Sequence, residues 1–168
     1  VDNGQELWFY SCSGPTRQFD PSYYRYQPWY GFRYGATGSA FWAFGDGGGA
    51  DSWNEYSVIG YTSYTPLYVG EATVDSSKHW EAALEGVQDY EYLHMLSELN
   101  AELQQSQSDS ARQRRAERLL DTLPAQLLER LEARQRAAAE GTAQRGSESL
   151  LAEQARRQIL RLLVNGGD

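Results

Sequence analysis

The sequence has little of three features that would assign it quickly to a class of protein. It contains a single cysteine, Cys12, so no disulfide within the chain can form, and cysteine usage does not indicate a compartment. No apolar run approaches the roughly 20 residues that a membrane-spanning helix needs, and the first residues do not resemble a signal peptide. We therefore expect no membrane partner, and the residues themselves leave the localisation open.

Aromatic residues are missing from the second half of the chain, and basic residues are scarce in the first. All 22 aromatic residues lie at or before Tyr92. Residues 1–92 carry 12 acidic and 4 basic residues, whereas residues 93–168 carry 11 of each, so the net charge of -8 belongs to the aromatic half. Without a clustered basic surface we expect no nucleic-acid partner. The contrast predicts two segments, residues 1–100 and a helical C-terminal extension over residues 101–168.

The first segment predicts a strand, a helix and a second strand. Residues 7–12 and 38–44 are apolar runs bounded by glycine, which favours buried strands. Between them, Asp20 and Pro21 predict a helix start, and Gly35 predicts its end. Strands joined by a crossover helix lie parallel, and wholly apolar strands fit a sheet that is covered on both faces.

After the second predicted strand, the sequence pattern indicates a long loop followed by helices. Residues 46–75 lack a helical period, and such a loop is the first place to look for chemistry. Ser76 and Ser77 predict the start of a helix. Three further helical stretches, 111–120, 124–140 and 149–164, fit an antiparallel hairpin or a three-helix cap after a linker or frayed helix end at 104–110. The helix that is predicted to start after Ser77 has an apolar stripe that consists of Trp80, Leu84, Val87 and Tyr90.

Four segments in this order resemble the C-terminal end of the catalytic barrel of glycoside hydrolase family 123. They are LWFYSCSGP (7–15), RYQPW (25–29), ATGSAFWAFGD (36–46) and SKHWEAALEGVQDYEYLHML (77–96). The tail resembles, more loosely, the helical extension of some members. The resemblance implies an α/β fold, namely the last two strands and helices of a (β/α)8 TIM-type barrel followed by an all-α helical tail. A complete barrel needs about 250 residues, so we expect the chain to continue a longer protein.

The resemblance also implies an activity, the substrate-assisted retaining hydrolysis of glycans that contain N-acetylhexosamine. In this family a consecutive Asp-Glu pair orients the acetamido group and supplies the general acid, and this chain contains no Asp-Glu dipeptide. We therefore expect no catalytic residue, no metal and no cofactor here, an inactive fragment, and the N-terminal part of the barrel as its partner. The parent enzyme is expected to be secreted or periplasmic.

Two alternatives stay open. The first is a non-catalytic carbohydrate-binding barrel that descends from such enzymes, which a missing upstream Asp-Glu pair would favour. The second treats the helical tail as a separate interaction module. Its balanced charges and short helices favour a cap over such a module.

Sugar sites combine aromatic platforms with carboxylates and amides, because a sugar ring has apolar C–H faces and a rim of hydroxyl groups. Burial in a barrel core is the competing interpretation for aromatic residues on strands. For an acidic residue at a strand end, the competing interpretation is a bond to the glycine-rich turn. The predicted carbohydrate-binding residues are Tyr10, Trp42, Asp46, Trp53 and Asn54.

Other ionisable residues predict structural roles. His79 and His94 are too far apart to ligate one metal, and we expect both at the surface or at a helix cap. Glu81 and Glu85 are expected on a solvated helix face. Asp89, within the GVQDYEYL segment, is expected to pack and to bond the helix to the barrel.

Overall fold

The computed structural model describes residues 4–11, 21–42, 44, 65–106, 110–141 and 148–165. The chain divides into two compact units, Val1–Val87 and Gln88–Asp168, and the division lies within one long helix. The boundary predicted after residue 100 stays a prediction. The elements in chain order are β1 (Trp8–Ser11), α1 (Ser22–Tyr34), β2 (Gly38–Phe41), β3 (Tyr68–Val69), β4 (Val74–Asp75), α2 (Lys78–Ser106), α3 (Ser110–Ala139) and α4 (Glu148–Asn165).

In the first unit, β1, α1 and β2 form a parallel strand-helix-strand motif. Trp8 pairs with Gly38 and Tyr10 with Ala40, so the predicted order and the parallel pairing are confirmed. Helix α1 ends at Gly35, as predicted, because its φ of 67° is left-handed and glycine adopts that conformation without steric cost. The next amide, that of Ala36, donates 2.8 Å to the carbonyl of Gly31, which satisfies an end carbonyl of the helix.

The core of the first unit is aromatic. Tyr24 of α1 contacts Phe41 of β2 and His79 of α2, with ring centroids 5.1 and 5.7 Å apart. Tyr26 and Trp29 of the same helix are also buried. Helix α2 begins where Ser77 caps it, since the Ser77 hydroxyl accepts a 3.1 Å hydrogen bond from the backbone N–H of His79. The helix start predicted from the two serines is confirmed.

The predicted portion of a (β/α)8 TIM-type barrel is wrong. Among the described residues, the parallel sheet has only β1 and β2, and the other sheet is a short antiparallel pair of β3 and β4. Helices make up most of the described chain. A barrel strand pairs on both sides, because the sheet closes on itself, whereas each of these strands has one neighbour within the described part of the chain. A strand-helix-strand order is common to every parallel sheet, so this order alone did not distinguish a barrel from a two-stranded pair.

The predicted apolar stripe of α2 is also wrong, because Leu84 and Val87 are exposed. The helix buries a different face, on which two positions, His79 and Asp89, are polar. A hydrophobic pattern does not recognise a buried polar residue, since burial of a polar group depends on partners elsewhere in the chain. The buried residues of α2 recur every three or four positions: His79, Ala82, Gly86, Asp89, Leu93 and Leu96.

The second unit consists of the rest of α2 with α3 and α4. Arg112, near the start of α3, donates to the carbonyls of Leu162 and Leu163 at the end of α4, at 2.9 and 3.2 Å. The two helices therefore pack antiparallel, and the predicted helical hairpin is confirmed. A cation bonded to the last carbonyls of a helix is favourable, because these groups form the negative end of the helix dipole. Both helices bury small and aliphatic residues, among them Ala116, Leu123, Leu127, Ala155 and Ile159.

Helix α3 joins two stretches that were predicted as separate helices. It continues through Pro124, whose side chain is fully buried. Proline removes one backbone hydrogen bond and crowds the preceding turn, so it usually interrupts a helix. Burial of Leu119, Leu123, Leu127 and Leu131 along one face offsets that loss.

Candidate functional site

The two faces of the β1–β2 sheet differ in what covers them. Phe9 of β1 contacts Tyr34 of α1 and Phe41 of β2 contacts Tyr24 of α1, with ring centroids 6.1 and 5.1 Å apart. These side chains therefore face the helix. Alternate residues of a strand point to opposite faces of a sheet. Trp8, Tyr10, Gly38 and Ala40 are thus assigned to the face away from α1. Together with the exposed Trp42, which directly follows β2, we call these five residues the aromatic face.

The large side chains of the aromatic face are exposed. Trp8 is 61%, Tyr10 62% and Trp42 50% accessible to solvent. Their interpretation as core residues is therefore wrong for Tyr10 and Trp42. Aromatic side chains bury much apolar area when they are covered, so a group of them exposed on one face is a feature of binding surfaces.

The indole of Trp8 lies against the backbone of the neighbouring strand. A Cβ atom placed on Gly38 would stand 2.3 Å from Cδ2 and 2.5 Å from Cε2 of Trp8. These two carbons form the fusion bond in the middle of the indole, so Gly38 meets the flat face of the ring and not its edge. At the edge of the indole ring, the N–H group donates a 3.2 Å hydrogen bond to Oε2 of Glu6. The opposite face of the indole is turned to solvent.

This arrangement is suited to a ligand that has a flat apolar side and a polar rim. An aromatic ring with one accessible face stacks on apolar surface, and the exposed Tyr10 of the same strand carries a hydroxyl that can donate and accept hydrogen bonds. Neither β1 nor β2 contains a lysine or an arginine. The chemistry of the surface is therefore aromatic and neutral to acidic.

The predicted site residues fall into two groups. Tyr10 and Trp42 lie on the aromatic face, whereas Asp46, Trp53 and Asn54 lie outside the described residues. Trp8 and Gly38 are not among the site residues predicted from the sequence. The spacing of two between Trp8 and Tyr10 does place both on one face of a strand, but it does not say whether that face is covered.

His79, His94 and Glu85 are ionisable residues whose positions were predicted from the sequence. His79 is 1% exposed and contacts Tyr24, so a surface position is wrong for it, whereas its backbone N–H donates to the Ser77 hydroxyl at the helix cap, the other predicted position. The predicted exposure of His94 is confirmed. Glu85, expected on a solvated face, pairs at 2.5 Å with the buried guanidinium of Arg25. Its side chain is still 45% exposed, in agreement with the predicted solvated face, while its carboxylate stabilises the buried charge of Arg25.

In the second unit, Asp89 forms a buried ion pair. It is fully buried, and Nε of Arg156 donates to its Oδ1 at 2.5 Å. The same guanidinium lies 5.9 Å from the centroid of the Tyr92 ring. The bond joins α2 to α4, and not to a barrel strand as expected.

The described residues contain neither a group of metal ligands nor a membrane-spanning helix. Within the described ranges, no three His, Cys, Asp or Glu side chains are grouped so that they could hold a metal ion. Across the same ranges, none of the helices combines the length and apolarity that a membrane crossing requires.

Compared with models of protein families and with curated protein sequences, the chain matches none of them. The resemblance to family 123 therefore gains no support from these comparisons. Any function has to be argued from the aromatic face itself.

Proposed function

We propose that the chain binds carbohydrate on the aromatic face and does not itself hydrolyse it. The observation that carries this proposal is the indole of Trp8, which packs one flat face on Gly38 and leaves the other accessible. Tyr10, two residues further along the same strand, extends the surface, and Trp42 adds a third aromatic group. Stacking of C–H faces on such rings, with hydroxyl groups bonded at the rim, is how aromatic side chains hold sugars.

The charge around the face favours a neutral glycan. Residues 1–87 contain 10 acidic and 4 basic residues. One of these basic residues, Arg25, is buried and paired with Glu85, so it is not available to a ligand. A uronate or a sulfated sugar would therefore meet an excess of like charge in this unit.

The resemblance to family 123 adds a more specific proposal. It would make the ligand a glycan that contains N-acetylhexosamine, in a protein whose catalytic carboxylates lie outside this chain. The barrel is not part of this proposal. What supports it is the set of four ordered motifs, of which LWFYSCSGP and ATGSAFWAFGD contain the residues of the aromatic face.

Titration of the full 168-residue chain with neutral oligosaccharides tests the proposal. The probes are tetramers of β-1,4-linked N-acetylglucosamine and of glucose, followed by tryptophan fluorescence and by amide chemical shifts. We expect Trp8→Ala to weaken binding by about tenfold, because loss of a central aromatic contact removes about 1 to 2 kcal/mol. Trp42→Ala is expected to act in the same direction.

Tyr34→Ala is the matched control. Tyr34 is 56% exposed in the same unit but contacts Phe9 on the helix side of the sheet. Its loss is expected to leave the affinity unchanged. If Trp8→Ala and Tyr34→Ala bind the sugars equally well, or if no probe perturbs Trp8 or Tyr10, the aromatic face is not a carbohydrate site.

A further inference from the structure

We infer that Gly38 and Glu6 are positioning residues that hold the indole of Trp8 flat on the sheet, ready for a ligand. This inference rests on the proposed function and names the residues that prepare the site for it. Neither residue was expected to contribute. Their effect is on Trp8, and the sugar does not have to touch them.

Gly38 provides the space that the indole occupies. The nearest indole atoms, Cδ2, Cε2 and Cε3, would lie 2.3, 2.5 and 2.8 Å from any Cβ at this position. Real Cβ contacts are not that short, so a side chain at position 38 would push the ring away from the strand. The register of the two strands places Trp8 directly opposite Gly38, so the contact between them follows from the strand pairing.

The backbone does not require glycine here. Among the described residues, the glycines with positive φ are Gly4, Gly35 and Gly141, and Gly38 is not one of them. Glycine within a strand is otherwise unfavourable, because it loses more conformational freedom on folding than other residues and packs no side chain. The reason for glycine at this position is therefore the neighbouring ring.

Glu6 fixes the remaining freedom of the indole. An exposed tryptophan side chain can turn about two bonds, and stacking on Gly38 alone does not determine the direction of its N–H edge. The 3.2 Å hydrogen bond from the indole N–H to Glu6 Oε2 does so. A ring that is already oriented loses less conformational entropy when a ligand binds, which raises affinity without a new contact.

The ring position is tested first in the ligand-free chain by NMR. A ring stacked on Gly38 shifts the Gly38 α-proton resonances upfield, so we expect this shift in the native chain and its loss in Trp8→Ala, but not in Tyr10→Ala. Ordinary chemical shifts for Gly38 in the native chain would overturn the inference. Because no sugar is present, this readout fails or succeeds independently of the proposed function.

Binding and stability of Gly38→Ala are measured next. We expect it to weaken binding of the N-acetylglucosamine tetramer by about tenfold, as Trp8→Ala does, and the double variant to bind no more weakly than Trp8→Ala alone. Ser39→Ala is the control, since Ser39 is the next residue of β2 and its hydroxyl donates to Gln27 of α1.

If Gly38→Ala folds poorly, Trp8→Ala in the same chain should restore the melting temperature, because the clash disappears with the ring. An equal loss of melting temperature from Gly38→Ala in the presence and in the absence of the Trp8 ring would overturn the inference.

The role of Glu6 is tested by a pair of variants. Glu6→Ala is expected to weaken binding by about threefold, in the range of one exposed hydrogen bond. Glu6→Gln keeps an oxygen that accepts from the indole N–H and is expected to restore the native affinity. Loss of binding in both variants would mean that the carboxylate contacts the sugar directly, which contradicts a positioning role.

Discussion

Single buried residues decide how the helices of the second unit are joined. Asp89 has no exposed surface, and Arg156, its partner at 2.5 Å, is only 14% exposed. Removing one partner of a buried ion pair leaves the other charge without compensation, which is more damaging than losing the attraction itself. The guanidinium of Arg156 also lies 3.9 Å from Glu153 and near the Tyr92 ring.

Arg156→Met is therefore expected to lower the free energy of unfolding by about 3 kcal/mol. Arg157→Met is the matched control on the same helix. Arg157 is 66% exposed and pairs with Glu153 at 2.9 Å, and loss of such a surface pair changes stability by at most about 1 kcal/mol. Urea denaturation followed by helical circular dichroism measures both. Equal losses of unfolding free energy in the two variants would show that the Asp89–Arg156 pair contributes no more to stability than the exposed pair.

Among the elements of the first unit, α1 and α2 approach each other closely at Gly86. A Cβ on Gly86 would lie 2.6 Å from the carbonyl oxygen and 3.0 Å from the Cα of Arg25. Both are backbone atoms, which cannot turn away as a flexible side chain can. The backbone carbonyl of Arg25 thus contacts α2 near Glu85, to which the Arg25 side chain is bonded.

Gly86→Ala tests this contact between the two helices. Alanine favours a helix over glycine by about 1 kcal/mol, yet we expect Gly86→Ala to destabilise the chain by about 1 to 3 kcal/mol, because the methyl group forces the helices apart. Gly31→Ala in α1 is the comparison, since the nearest atom to its Cβ is 3.9 Å away. That variant is expected to be neutral or more stable in the same thermal melt. A stabilised Gly86→Ala would refute the close approach.

For the whole molecule, charge separates the two halves of the chain. The net charge of -8 lies in the aromatic half, which includes the aromatic face. Stacking of a neutral sugar on Trp8 depends on dispersion and on burial of apolar surface, and neither is screened by salt. The attraction or repulsion of a charged glycan would be screened.

The affinity for neutral tetramers is therefore expected to change by less than about twofold between about 50 mM and about 500 mM NaCl. A tetramer of galacturonate is expected to bind at least about tenfold more weakly than the neutral sugars at the lower salt concentration, with part of that difference lost at the higher one. Isothermal titration calorimetry at the two salt concentrations measures both. Tighter binding of the galacturonate would contradict a neutral ligand.

Features that depend on neighbours in the sequence were predictable. The strand-helix-strand order, the helix end at Gly35 and the helix start after Ser77 all follow from residue types and spacings within a few positions. The selection of Tyr10 and Trp42 as candidates followed from aromatic residues near strand ends. The buried face of α2 was not predictable in this way, because His79 and Asp89 have partners far along the chain.

The sequence by itself determined the local elements, the acidic aromatic half and the absence of an Asp-Glu pair, because these depend on residue identity and short spacings. Only the tertiary structure decided that the described strands form two-stranded sheets and no barrel, since strand pairing is a long-range choice. It also decided which face of the parallel pair is covered. Helix α1 packs on Phe9 and Phe41, and Trp8 and Tyr10 therefore lie exposed on the opposite side.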